Sequence, residues 1–322
     1  MTGDDELDNI RLDEDFIRGG KYEPPARTRA AIAKYGSEAS SWRQAAPLQP
    51  PSAALRRHRA PARAGHSARS QVRPSPIFLL TIALTAVFGA LVWNGKIGRP
   101  GVFFFVLGGW MVSLCLHEYA HAFTGFHGGD HSVAARGYLR LDPRRYQHPF
   151  LSFVIPVVFF IVGGIGFPGG AVEIDRSSLR SRPWRSAVSL AGPATNAAFA
   201  AICLAPFALP QVGHATIYRH VPFFLALALL AALQLMAVVL NLLPIPGLDG
   251  WGVIEPFLAD DVAYTARKFA TPALFIVMLV LMRVPTINRA IWYVPLHVAD
   301  ATGVPHGFVQ AGWTLAKFWS TH

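Results

Sequence analysis

Two histidines and a glutamate stand close together in the chain, at His117, Glu118 and His121. Residues four apart lie on one face of an α-helix, so the two imidazoles can bind the same zinc ion. The carboxylate of Glu118 can reach a water at the open coordination position and act as its general base. This spacing predicts metal-assisted hydrolysis. The alternative is a polar group at a helix end that reaches towards lipid headgroups.

Two imidazoles leave a catalytic zinc one protein ligand short, because such a site normally has three, with water in the fourth position. Asp249 is the best candidate for the third ligand. It follows a segment in which Pro244 and Pro246 break a long apolar run, and Gly250 comes directly after it. Inside a membrane, the backbone groups exposed by such a break must lie against protein or a cavity. The alternative is an ordinary helix end with an aspartate in its turn.

The composition indicates where this chemistry would take place. Of the 322 residues, 52% are hydrophobic and 15% are charged, which is too little charge for an ordinary water-exposed surface. Most of the apolar runs are long enough, or nearly so, to cross a bilayer as helices. These runs are 77–93, 102–116, 150–167, 187–209, 221–243 and 272–282. We therefore predict an all-α polytopic membrane protein with five to six transmembrane helices.

The net charge of +10 comes from basic clusters that flank the apolar runs, at 56–73, 136–145 and 176–185. Basic residues beside membrane spans favour the cytoplasmic side and can touch anionic lipid. We therefore expect no nucleic-acid partner, and we predict a multi-pass protein of the cell membrane with a cytoplasmic N-terminus. Because two basic loops both favour that side, the segment 150–175 between them is predicted to be re-entrant, with a helix and an extended return.

Three regions follow from these patterns. Residues 1–76 are acidic and then basic and proline-rich, so they are predicted to be a disordered cytoplasmic tail, open to an unknown partner. Residues 77–284 would form the membrane domain with the metal site. Residues 285–322 are predicted to lie at the interface, with a further crossing as the alternative, because they contain aromatic residues typical of that position: Trp292, Tyr293, Trp313 and Trp319.

Three motifs in this apolar setting resemble the site-2 proteases, intramembrane zinc metalloproteases that cleave membrane-spanning segments of other proteins. They are HEYAH at 117–121, AGPATN at 191–196 at the start of a span, and NLLPIPGLDG at 241–250. The resemblance covers residues 101–256 and is closest to the compact bacterial branch without PDZ or CBS modules. It implies that His117, His121 and Asp249 hold Zn²⁺ and that Glu118 activates water.

The resemblance further implies that Asn196 and Asn241 donate hydrogen bonds to the substrate backbone or to the developing oxyanion. A structural role for both amides, bonding the exposed carbonyls of broken helices, is equally open. The substrate would be a transmembrane protein in the lipid bilayer, and an unwound segment of it would pair with an extended stretch near 171–174.

Two alternatives concern metal binding. A metal-ion transporter or channel could use the same His/His/Asp cluster, but a transport route usually carries more polar residues along the membrane. A second group, His127, Asp130 and His131, lies in a glycine-rich loop. We expect these three side chains to be solvated rather than to form a second metal site.

Overall fold

The computed structural model describes residues 73–145 and 172–320, which belong to one compact unit, His66–His322. In these ranges the chain is helical and contains no strand. The α-helices are α1 (Pro76–Trp93), α2 (Arg99–Gly128), α3 (Ser132–Ala135), α4 (Arg182–Ala208), α5 (Gly213–Arg219), α6 (Val221–Asn241), α7 (Asp249–Ile254), α8 (Asp260–Lys268), α9 (Ala270–Arg283), α10 (Pro285–Ala301) and α11 (Phe308–Ala316).

Four of these helices, α1, α2, α4 and α6, are long and apolar enough to cross a membrane, and α8 and α9 together form a bent fifth candidate. The predicted all-α polytopic fold is thereby confirmed, with four or five candidate spans in the described ranges, against five to six expected for the whole chain. The predicted tail and re-entrant element lie outside the described residues, except for 73–76 and 172–175. Residues 172–175 are neither helix nor strand.

Proline marks the beginning of each long helix. Proline lacks a backbone N–H, but an N–H in the first turn would have no intrahelical acceptor, so no hydrogen bond is lost there. Its φ angle is already helical, so it begins a helix at little cost. The four prolines are Pro76, Pro100, Pro183 and Pro222. At the first of them, Ser75 caps the helix by accepting a hydrogen bond from the Phe78 amide.

Helix α2 packs against α1, α4 and α6, so the helix with the two histidines is central in the described part of the chain. Helix α6 is the most deeply buried span and also packs against α10 and α11. At Gly312 of α11, an added Cβ would come within 2.2 Å of the Leu225 carbonyl oxygen, so this helix lies directly on α6.

The break before Asp249 occurs where the prolines predict it. Helix α6 ends at Asn241 and α7 begins at Asp249. Gly247 has a φ of +98°, which favours glycine. A Cβ at Gly250 would lie 2.3 Å from the Leu242 carbonyl oxygen, so α7 folds back tightly on the end of α6.

The AGPATN motif differs from its expected position. Helix α4 already begins at Arg182, so residues 191–196 lie inside the helix rather than at its start. Pro193 is therefore an interior proline, and Gly192 lies against His117 and His121 of α2.

Candidate metal centre

The side chains of His117, His121 and Asp249 converge on one point. The two Nε2 atoms are 3.0 Å apart, and the Asp249 carboxylate oxygens lie 3.2 Å from His117 Nε2 and 3.3 Å from His121 Nε2. Zinc bonds of about 2.0–2.2 Å in a tetrahedron put neighbouring ligand atoms about 3.3 Å apart. The three atoms therefore fit a zinc ion, and no other such group occurs in 73–145 or 172–320.

The orientation of His121 is fixed by the neighbouring span. Its Nδ1 lies 2.6 Å from the carbonyl oxygen of Val188 in α4. A proton on Nδ1 that donates to this carbonyl leaves a lone pair on Nε2, the state that a metal ligand needs. Nδ1 of His117 is buried and has no partner in the described part of the chain.

Gly192 brings α4 against both imidazoles. A Cβ at this position would lie 2.4 Å from His121 Nε2 and 2.5 Å from His117 Nε2. No side chain larger than hydrogen fits there without displacing the rings. Gly192 of the AGPATN motif is thus required by its contact with the two histidines of the HEYAH motif. Sequence spacing alone did not indicate this contact.

Glu118 is buried beside this cluster and faces the segment 172–175. Its Oε2 accepts a hydrogen bond of 3.0 Å from the Val172 amide. The same segment is held from its other side, where Asp130 Oδ2 accepts from the Asp175 amide at 2.7 Å and Arg136 donates to the Glu173 carbonyl. Glu118 therefore contacts a segment that hydrogen bonds hold at several points.

Asp130 corrects one of the sequence predictions. It was expected to be solvated, but it is 1% exposed and its two oxygens accept from the amides of Ser132 and Asp175. Its neighbours His127 and His131 are exposed, as expected. Asp130 is a buried anchor for the chain because a short carboxylate can bond several backbone amides in a turn.

Charged side chains pair with one another in the segments next to the metal cluster. Burial raises the pKa of Asp249, but the two imidazoles beside it lower the pKa more, so it lies well below its usual value. Glu255, just after α7, is buried and pairs with Arg176 and Arg267. This carboxylate joins the segment before α4 and helix α8 to the end of α7, the helix that begins at Asp249.

A cavity of about 330 Å³ is lined by the metal cluster and by residues of α2, α4 and α6. Asn196 and Asn241 both line it, as do Ser113 and Gln234, which the sequence reasoning did not assign to a site. Gln234 did leave a signal, because it is the one polar residue in the apolar run 223–240. Ser113 left none, since serine is common in apolar helices.

Comparison with curated proteins identifies relatives over most of the chain. A Mycobacterium tuberculosis protein named "Putative zinc metalloprotease Rip2" is 48% identical over 260 residues, which cover 78% of this chain and 96% of the relative. Rip2 of Mycolicibacterium smegmatis is 46% identical over 263 residues, with the same shares. YwhC of Bacillus subtilis, also named as a zinc metalloprotease, is 30% identical over 187 residues, 56% of this chain and 81% of the relative.

No family model matches the chain, and no solved structure matches it. The assignment therefore rests on these relatives, on the membrane-span helices and on the His/His/Asp cluster, which together identify a membrane metalloprotease with Zn²⁺ as its cofactor. The chain belongs to the site-2 protease family of zinc metalloproteases, as its three motifs predicted.

Proposed function

We propose that this protein is an intramembrane endopeptidase that hydrolyses peptide bonds in transmembrane segments of other membrane proteins. The observation that carries the proposal is the position of the metal cluster on α2. His117 is the nineteenth residue of this span-length helix, about 27 Å from its start at 1.5 Å per residue. A site about 27 Å along a helix of membrane-spanning length, next to a cavity inside the helix bundle, suits a substrate that is itself in the bilayer.

In this proposal His117, His121 and Asp249 hold the metal and Glu118 handles the protons. Zn²⁺ bound there would polarise the scissile carbonyl and lower the pKa of water. Glu118 takes a proton from the attacking water on its free carboxylate oxygen, since Oε2 is engaged by Val172. It then delivers this proton to the leaving amine. Asn196 and Asn241 line the same cavity and donate to the substrate carbonyl or backbone.

The segment 172–175 supports strand pairing with the substrate. In an extended chain, successive residues direct their backbone groups to opposite edges. Glu173 and Asp175 are engaged on one edge by Arg136 and Asp130, whereas Ile174 has no backbone partner in the described ranges. On the Glu118 side the backbone of Ile174 would be available to an unwound peptide, whereas the Val172 amide on that side is bonded to Glu118.

The location completes the proposal. The protein would lie in the cell membrane with residues 1–76 in the cytoplasm, where they would bind a partner yet to be found, and with 285–322 at the interface. Residues 77–284 would be the protease domain. The alternative of a metal-ion transporter is not favoured, because the relatives are named as metalloproteases.

The test is a comparison of membrane-protein fragments released by the native chain and by Glu118→Gln. This substitution keeps the size and hydrogen bonding of the side chain but removes the base. We expect cleavage to fall by at least about a thousandfold, as when an essential acid/base group is lost, while one zinc per chain is retained. Fragments that appear equally with both forms would overturn the proposal.

A further inference from the structure

The cavity has a second polar cluster, which includes Ser113, one turn of α2 before His117. We call His117, Glu118, His121 and Asp249 the metal end. The inner end consists of Ser113 on α2, Asn196 on α4 and Gln234 on α6, so three spans meet there. Ser113 Oγ lies 2.5 Å from Gln234 Oε1 and 3.3 Å from Asn196 Oδ1. All three side chains are buried, and all three line the cavity.

The hydrogen bonds at the inner end cannot all be satisfied. A serine hydroxyl has one proton, so it donates to only one of the two amides and accepts from the other. Gln234 is 1% exposed, and its Nε2 has no partner in the described ranges. Turning the amide over would leave its oxygen unpaired instead. In either orientation, one polar atom of Gln234 remains available.

Such an atom costs free energy in a buried site unless a ligand or an ordered water pairs with it. Buried polar groups in native proteins are nearly always paired, and an unpaired one points to a missing ligand. The inner end has no charged side chain, so it does not suit an ion. A neutral amide with a donor and an acceptor matches a peptide group.

We propose that the inner end is a subsite that binds the backbone of the unwound substrate within about two residues of the scissile bond. Ser113 and His117 are four residues apart on α2, which corresponds to about 6 Å along the helix. An extended peptide covers about 3.3 Å per residue, so about two residues span that distance. An unwound segment has backbone N–H and C=O groups without partners, and Gln234 supplies one.

This inference rests on the proposed function and makes Gln234 a determinant of substrate binding rather than of zinc binding. A side chain that recognises backbone is tolerant of substrate sequence. It favours substrates that unwind at this depth, because only those present a free peptide group to the subsite. The recognised property would be helix instability next to the cleaved bond.

The first part of the test is Gln234→Met, which keeps an unbranched side chain of similar size but removes the amide. Leu235→Met is the matched control, since Leu235 lies next to it on α6 but does not line the cavity. The probe is a set of synthetic Leu/Ala-rich transmembrane peptides with a central Gly-Pro helix break, in detergent micelles. We expect kcat/KM to fall about tenfold for Gln234→Met and to stay within about twofold for the control, with zinc content unchanged in both.

The second part is an amide-to-ester scan of the best-cleaved peptide, because an ester removes one backbone donor and weakens the carbonyl acceptor. One ester within about two residues of the scissile bond should lower kcat/KM about tenfold for the native chain and have no added effect for Gln234→Met. Such non-additivity identifies a direct contact, which a merely structural glutamine would not produce. Equal ester penalties in both forms would overturn the subsite.

Failure of the proposed function itself gives a different result. Binding of the same peptides is measured with Glu118→Gln, alone and combined with Gln234→Met. If the native chain neither cleaves nor binds any peptide of the set, the endopeptidase and its subsite are both rejected. If it cleaves them but the double variant binds as tightly as Glu118→Gln alone and esters act additively, the subsite alone is rejected.

Discussion

The two ends of the cavity differ in how far their polar atoms are paired. At the metal end, His121 is bonded to the Val188 carbonyl, Glu118 to the Val172 amide, and the Asp249 oxygens face both imidazoles, although Nδ1 of His117 has no partner in the described ranges. At the inner end, one hydroxyl faces two amides and Gln234 keeps an unpaired atom. Paired groups hold a fixed geometry, which chemistry requires, whereas an unpaired group is ready for a ligand. Substitutions at the two ends should therefore separate metal binding from substrate binding.

The largest effect is expected where α4 touches the metal end. Gly192→Ala would force a Cβ to within about 2.5 Å of both imidazole Nε2 atoms, so the rings must move and the zinc geometry is lost. We expect zinc content to fall below about a tenth of the native value and cleavage to become undetectable. Gly98→Ala is the control, because no atom lies within 4 Å of a Cβ there. Normal zinc content in Gly192→Ala would contradict the described contact.

A smaller effect is expected from substitution of Asp130, which anchors the segment 172–175 next to Glu118. Asp130→Ala leaves the half-buried amides of Ser132 and Asp175 without an acceptor, which should destabilise the protein by about 1–3 kcal/mol. Cleavage should fall about tenfold with zinc retained, because the segment no longer holds its place. Thermal unfolding in detergent and zinc analysis measure the two effects. His131→Ala, at an exposed neighbour, should change neither.

At the inner end, Ser113→Ala removes the hydroxyl that faces Gln234 and Asn196. Loss of one neutral hydrogen bond corresponds to about 0.5–1.5 kcal/mol, so we expect a two- to tenfold rise in KM for a transmembrane peptide. Zinc content should not change. Thr195→Ala is the control, since its hydroxyl bonds within its own helix, to the Ala191 carbonyl. A loss of zinc from Ser113→Ala would show that the two ends are not separable.

The smallest effect is expected outside the cavity, at Asp142. Burial raises its pKa, but hydrogen bonds from Arg144 and the charges of Arg144 and Arg145 lower it more, so the folded-state pKa lies below its usual value of about 3.9. Ionised Asp142 thus stabilises the folded state above about pH 4, and this contribution disappears as the pH falls through the folded-state pKa. Arg144 is largely exposed, so Asp142→Asn should cost less than about 1 kcal/mol at pH 7. Unfolding of both forms at pH 7 and pH 3 checks this, because their difference should shrink at the lower pH.

Sequence patterns predicted the metal end well because its signals are local. The spacing of His117 and His121 follows from helix geometry, and the prolines before Asp249 are sufficient to end α6. The inner end had only the weak signal of Gln234 in an apolar run. The position of the AGPATN motif was wrong, because the polar turn at 182–186 is part of α4 although it looks like a loop.

By itself, the sequence determined the all-helical membrane fold, the placement of His117 and His121 on one helix face and the break that carries Asp249, because hydrophobic length, helical periodicity and proline act over a few residues. Only the tertiary structure decided that Gly192 touches both imidazoles, that Asp130 is buried, and that Ser113, Asn196 and Gln234 meet at one point. These contacts join residues far apart in the chain. They depend on how three spans rotate and approach one another, which no local pattern specifies.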